Sequence, residues 1–266
     1  MTLARNHPGS RSAFLLESVF ILRIEATSEN RRGSWLRAAA LMRDVRQLPR
    51  RIRMNVAKWK DVWSRFSGLG TYPHELAFIL LFPLRRIVLS PEKLVRHLHL
   101  TRTSRVLEVG PGPGFFSIDV AQAIPQGRLE LVDVQLEMLQ KARGRLRRAG
   151  VRNTGYTRAN AVKLPFRSGA FDVAFLVAVL GEVPDPKACL VSIADVLRPG
   201  GMLAVAELPG DPDAVTEEQL RTLTQGTGLE FVESLRVSRG FLASFRREAK
   251  SRGTMTSNTA CSRQRA

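Results

Sequence analysis

The chain is predicted to be an α/β protein. Its sheet is doubly wound, seven-stranded and mostly parallel, closes with a C-terminal antiparallel hairpin, and sits behind an N-terminal helical cover. Three observations predict this. Short apolar runs of strand length alternate with helix-patterned stretches from residue 105 to residue 207. The first run, Val106-Leu107-Glu108-Val109, breaks into glycine at every second position, Gly110, Gly112 and Gly114. The last two β-rich runs, 229–237 and 240–246, are separated only by Ser238-Arg239, the spacing of a tight antiparallel pair.

Ser90-Pro91-Glu92-Lys93 reads as a helix start, with an N-cap, proline at the first helical position and an acid in the first turn, and this helix runs to about His99. His97 and His99 are two apart on it, so they point to different faces and make poor joint metal ligands. The first strand, 105–109, leads through the glycine turn into a helix over 114–124. A second strand closes on Asp133, 23 residues after Gly110, and a helix follows at about 135–148. The third strand lies near 153–158 and the fourth spans Phe171–Val177. A helix over 187–197 ends at Arg198-Pro199-Gly200-Gly201, a stop signal, before a fifth strand over Met202–Glu207. A helix at about 215–225 precedes the hairpin.

The net charge of +17 looks like that of a nucleic-acid binder until it is divided along the chain. Residues 1–70 hold 14 Lys/Arg against 5 Asp/Glu, whereas residues 101–246 hold 18 against 16. The basicity therefore sits at the ends, and the main domain presents no overall positive field. This divides the chain into a basic extension (1–58), a helical cover (59–100), the main domain (101–247) and a polar, disordered tail (248–266). In the cover, Trp59, Trp63 and Phe66 have helical spacing, and 76–82 is continuously apolar before Arg85-Arg86. This segment packs on the domain or lids an apolar substrate; the competing reading is peripheral contact with a membrane surface, with arginines at the headgroups. The apolar run 13–22 carries Glu17 and falls short of a bilayer span of about 20 residues. Two distant cysteines, Cys189 and Cys261, give no disulfide framework or metal cluster, which fits a reducing, cytoplasmic setting.

A glycine turn at the carboxyl end of a parallel strand lets a ligand approach bare backbone. The dinucleotide fingerprint G-x-G-x-x-G would need glycine where Phe115 stands, so the G-x-G-x-G seen here disfavours a nicotinamide cofactor. Asp133, closing the second strand, is placed to accept both hydroxyls of an adenosine ribose; the plainer reading is a cap on the next helix.

In these blocks the chain resembles the class I S-adenosylmethionine-dependent methyltransferases of the small-molecule kind, and among them the quinone-ring group. The resemblance covers about residues 70–246. It rests on Leu107-Glu108-Val109-Gly110-Pro111-Gly112-Pro113-Gly114, Val132-Asp133, Asn160-Ala161-Val162-Lys163-Leu164-Pro165-Phe166, Phe171-Asp172-Val173 and Val196-Leu197-Arg198-Pro199-Gly200-Gly201. It implies a Rossmann-like sheet and S-adenosyl-L-methionine as cofactor. Glu108 and the backbone at Gly110, Gly112 and Gly114 would hold the methionine part. Asp133 would bind the ribose, and Asn160, where the family usually has aspartate, would face the adenine amino group. Ala161 would offer a backbone N–H, and Leu176 and Val177 would border the sulfonium. The Pro-Gly-Gly turn is structural on this reading.

The implied acceptor is a small aromatic or lipophilic molecule. Tyr72, His74, Glu75, Glu182 and Asp185 are candidates for its polar lining, and Phe78, Phe82 and Phe241 for an apolar wall or ordinary core. No catalytic base is singled out. Two rivals stand beside this reading. One is RNA methylation tethered by the basic N-terminus, which the near-neutral domain disfavours. The other is a non-catalytic S-adenosylmethionine-binding protein, which Asn160 and the missing base permit.

Overall fold

The structure is a computed structural model, and it describes residues 89–208, 214–237 and 240–249. The extension, most of the cover with Tyr72, His74, Glu75, Phe78 and Phe82, and the C-terminal tail lie outside the described residues.

Seven strands form one sheet in the order β3-β2-β1-β4-β5-β7-β6. They are β1 (Arg105–Val109), β2 (Arg128–Asp133), β3 (Thr154–Arg158), β4 (Phe171–Val177), β5 (Leu197–Glu207), β6 (Leu229–Val237) and β7 (Gly240–Arg247). The pairs from β3 through β5 are parallel, and β7 opposes both β5 and β6. Between the strands lie α1 (Pro91–His97), α2 (Ser117–Ala123), α3 (Leu136–Arg148), α4 (Pro186–Val196) and α5 (Glu217–Thr224). The predicted sheet and its terminal hairpin are therefore present.

The central strands are apolar on both faces, as parallel strands covered by helices must be. One face of the sheet packs Val106, Leu129, Leu131, Val173 and Phe175 against Leu94, Val120, Leu139 and Leu146 of the α1–α3 layer. The other packs Leu107, Val109, Ala174, Leu176 and Val205 against Leu190, Ile193 and Leu220 of α4 and α5. Phe241 is buried in this second cluster. Cys189 is buried there too, its thiol pushed up to about 12 by burial. The reversal of strand order between β1 and β4 opens a crevice at their carboxyl ends, where ligands of doubly wound sheets bind. Among the described residues, no helix is long and apolar enough to cross a membrane.

Three boundaries differ from the sequence expectation. Helix α2 begins at Ser117 because residues 112–116 are spent in turns. Strand β5 begins at Leu197, directly after α4, because Leu197 pairs with Phe171 while Met202 pairs with Val173. Residues 198–201 are the slack in that register, and a Cβ on Gly201 would meet the Arg198 and Asp172 carbonyl oxygens at 2.8 and 3.0 Å. The Pro-Gly-Gly segment is thus a bulge inside a strand. Helix α1 stops at His97, not His99, and His99 adopts a left-handed φ of +47°. Asp172 accepts from Arg105 N at 2.7 Å and Arg198 Nε at 2.8 Å, so this residue of the Phe-Asp-Val block ties three strands together away from the crevice.

Candidate functional site

The glycine loop is built by backbone conformation. Gly110, Gly112 and Gly114 all have left-handed φ values, +66°, +53° and +78°, which other residues adopt only at a cost. Gly110 also lies against the loop after β4: a Cβ there would sit 2.5 Å from Val179 Cγ2. Gly114 packs on α3, where an added Cβ would meet Leu146 Cδ1 at 3.0 Å. The loop is anchored by Gly110 N–H donating to the Val132 carbonyl at 2.8 Å and Gly114 N–H to the Pro111 carbonyl at 3.0 Å.

Two carboxylates flank this loop, both buried. Glu108 is 3% exposed and accepts a 2.5 Å hydrogen bond from Ser117 Oγ in the first turn of α2. Burial pushes its pKa up to about 8 against the ordinary 4.5; the Ser117 bond opposes this and the nearby Asp133 charge adds to it. Asp133 is 8% exposed, and its pKa rises to about 6, again chiefly from burial. It accepts from Gln135 N–H at 2.8 Å and also from the backbone N–H groups of Gly112 and Val134. Asp133 is not the cap of α3: the N-cap is Gln135, which makes no side-chain cap bond, and Asp133 receives that residue's N–H in the turn leading to the helix. The bond from Gly112 goes further and fastens the glycine loop to the end of β2.

The remaining expected residues fall around the same crevice. Ala159 N–H donates to the Asp133 carbonyl at 3.2 Å, so Asn160 and Ala161 begin the loop after β3 beside the end of β2. Asn160 is exposed, and its Oδ1 accepts from Val162 N–H at 3.1 Å. That Asx turn shapes the loop and uses one of the oxygen's lone pairs. Val177 ends β4 within the cluster on the α1–α3 side, where Ser117 and the Glu108 carboxylate meet. Leu176, one residue earlier, points into the opposite cluster and reaches the crevice by its backbone alone. Ala178 then turns left-handed at φ +54°, its N–H held by the Ala206 carbonyl at 2.8 Å, and delivers Val179 onto Gly110. Of the two loop carboxylates beyond, Asp185 caps α4 by accepting from Ala188 N–H at 2.9 Å, whereas Glu182 is half-buried in the 3-10 turn Leu180–Glu182.

Sequence reasoning missed Ser117, Ala178 and Arg145. Ser117 was legible in principle, as the polar residue of the first helical turn after the loop. Arg145 belongs to an arginine-rich helix and reads as solvated surface. In the structure its Nη1 donates to the Gly114 carbonyl at 2.9 Å and its guanidinium lies 5.9 Å from the Phe115 ring. It is a positioning residue that braces the loop from α3. Arg145→Ala is expected to weaken S-adenosylmethionine binding roughly three- to thirtyfold, the worth of part of one charge-assisted bond, with Arg145→Lys in between. Titration calorimetry on the three proteins checks this.

The residues fit S-adenosyl-L-methionine on structural grounds. The loop has no Cβ at its three left-handed positions, and two buried acceptors flank it for a cationic, hydroxyl-bearing ligand. Comparisons with known proteins find similarity to methyltransferases. The family described as a methyltransferase domain matches residues 106–201. The chain is 37% identical over 105 residues to the ubiquinone/menaquinone biosynthesis C-methyltransferase UbiE of Haemophilus ducreyi, covering 39% of this chain and 40% of that protein. It is 29% identical over 185 residues to an O-methyltransferase of Aspergillus nomiae, covering 60% of this chain and 81% of the other. The crystal structure of a SAM-dependent methyltransferase from Aquifex aeolicus superposes with a TM-score of 0.63 at 21% identity, over 66% of this chain and all of that one. The chain spans about two fifths of the length of the quinone-biosynthesis relatives it matches.

Proposed function

For a chain built around a class I S-adenosylmethionine-dependent methyltransferase domain, we propose methyl transfer to a small aromatic or lipophilic acceptor, with a quinol-type ring the first candidate. The observation that carries it is the pairing of the left-handed glycine loop with buried Glu108 and Asp133 at the carboxyl ends of β1 and β2. The strand order supports it as well. Asp133 and Val177 close β2 and β4, Glu108 is the penultimate residue of β1 and Asn160 lies two residues past β3, and these four strands are consecutive neighbours in the sheet. The four residues therefore spread over three strand spacings, about 14 Å, a span that suits adenine, ribose and methionine across β3, β2 and β1, with the sulfonium methyl turned toward β4. The acceptor class rests on the likeness to the UbiE and O-methyltransferase sequences.

Bound, the cofactor supplies a methyl group already activated on a sulfonium, so the protein need only align and exclude. Glu108, once ionised, would face the cationic methionine end. Asp133 would take the ribose hydroxyls while its bond from Gly112 ties the loop to the end of β2. Asn160, whose Oδ1 accepts from Val162 N–H, would offer its remaining lone pair to the adenine amino group. Val177 and the left-handed Ala178 would border the reacting end, beside Val179 packed on Gly110. The acceptor then needs an in-line approach to the methyl carbon.

The test is transfer of label from [methyl-14C]S-adenosylmethionine to a panel of quinols, phenols and total RNA, with each product identified by mass. Label on a ring carbon or phenolic oxygen supports the proposal. Label on RNA alone overturns the acceptor class. Cofactor binding without label on any member of the panel favours the non-catalytic rival.

A further inference from the structure

The β6 edge of the sheet carries a surface that the crevice does not use. Among the described residues six large apolar side chains are exposed, and three of them, Phe231, Val232 and Leu235, lie on β6. β6 is the last strand in the order, so its outward amide and carbonyl groups have no ladder partner among the described strands. The opposite edge strand, β3, is five residues long and exposes no large apolar side chain. Phe231 is accounted for within the chain, since the Arg221 guanidinium lies 3.5 Å from its ring centroid. Val232 and Leu235, 42% and 47% exposed, are not.

The register of β6 divides it in two. The pairing with β7 sets Phe231 against Phe245, skips Val232 and resumes with Glu233 against Ser244. A bulge of this kind ends one straight stretch of edge and begins another. The stretch beyond it, Glu233-Ser234-Leu235-Arg236-Val237, is regular and has Leu235 at its centre. Its faces are fixed by what it opposes. Glu233 and Leu235 stand opposite Ser244 and Leu242, on the side of α1, where Ser244 meets His97. Ser234 and Arg236 take the side of α5, where Ser234 Oγ donates to Glu217 Oε2 at 3.0 Å. The bonds from Arg221 and Ser234 hold Glu217 below the usual carboxylate range, and the Arg236 charge adds to this.

We propose that this edge is the interface of a homodimer, in which residues 233–237 of two copies pair antiparallel about a two-fold axis through Leu235. That register is self-complementary, as an isologous contact must be. Leu235 meets its counterpart in the second copy, which takes both exposed side chains out of water. Glu233 stands opposite Val237, so the two carboxylates are kept apart. Ser234 stands opposite Arg236, which brings each guanidinium beside the Glu217 of the other copy. Neighbouring registers are worse: an axis on Ser234 sets Glu233 against Leu235, and an axis on Arg236 sets two guanidinium groups face to face. Two seven-stranded sheets thereby join into one. β6 lies four spacings from β1, about 19 Å, so both crevices stay open.

The test is sedimentation velocity of the untagged full chain from about 1 to 100 µM, where a dimer with a dissociation constant on the order of micromolar is expected. Leu235→Asp and Arg236→Glu, both at exposed side chains, should each weaken the dimer roughly tenfold or more, since each substitution enters the interface twice. Circular dichroism and S-adenosylmethionine affinity should stay unchanged in both. In a Cys261→Ser background, Leu235→Cys should form an intermolecular disulfide under mild oxidation, because residues directly opposed in an antiparallel pair have Cα atoms about 4.5–5.5 Å apart. Glu230→Cys, on the other side of the bulge, should not. A monomer at every concentration overturns the proposal and leaves this edge to another part of the chain. A dimer that both substitutions leave intact, or cross-linking of Glu230→Cys equal to that of Leu235→Cys, overturns it as well.

Discussion

Asp133→Ala is expected to weaken S-adenosylmethionine and S-adenosylhomocysteine binding by roughly a hundredfold to ten-thousandfold while the domain stays folded. Two hydrogen bonds from ribose hydroxyls to an ionised carboxylate are worth about 1.5–3 kcal/mol each. The carboxylate also accepts from Gly112 N–H, so its loss loosens the loop that carries the methionine end. Stability should fall by about 1–3 kcal/mol, because backbone N–H groups lose their acceptor, a loss partly offset by removing a carboxylate whose ionisation burial opposes. Asp133→Asn separates the two contributions. It keeps an oxygen for the backbone N–H groups but loses the charge and one acceptor, so it should fall between wild type and alanine. Calorimetric titration with both ligands, beside the unliganded melting curves, is the measurement. Wild-type affinity in Asp133→Ala would move the ribose elsewhere and dissolve the strand-by-strand layout of the site.

The parts of this site that were legible in the sequence are those fixed by strand ends. An acid at the close of one apolar run and alternate glycines at the close of another need only the parallel sheet to bring them together. Glu108 and Asp133 follow from that. What could not be read depended on contacts between elements. Which arginine of α3 meets the glycine loop is decided by how that helix lies on the sheet, and five basic residues in one stretch offer no way to choose Arg145. The start of β5 was misplaced because Pro199-Gly200-Gly201 is a local stop signal, whereas the strand boundary is set by Leu197 pairing with Phe171. Helical periodicity puts His97 and His99 on different faces, but the helix ends at His97 and the periodicity does not reach His99. The Asp172 carboxylate, met as one letter of a family block, turned out to bind Arg105 and Arg198 at the strands' amino ends and to have no part in the crevice.

The second large effect concerns pH. In the unliganded protein Glu108 titrates near 8 instead of 4.5, and Asp133 near 6 instead of 3.8. Between the ordinary and the raised values the folded state binds more protons than the unfolded chain. Stability is therefore greatest at the acid end of that window and falls as pH rises toward 8, by at most about 1.4 kcal/mol per unit for each proton. Cofactor binding should run the other way. A cationic methionine end favours the ionised form of Glu108, so binding expels a proton, and affinity should climb by up to about tenfold per unit between pH 6 and 8. Above about 8 the ligand's own α-amino group loses its charge, and the gain should stop. Glu108→Gln holds the neutral form at every pH. It should bind the cofactor weakly at pH 8, lose most of the pH dependence that remains after Asp133 is ionised, and flatten the decline of unliganded stability between pH 6 and 8. Calorimetry at pH 7 in two buffers of different ionisation enthalpy counts the released proton directly. An affinity flat from pH 6 to 8, with no proton released, would mean that Glu108 is already ionised in the empty site, and that Ser117 and the loop amides outweigh its burial.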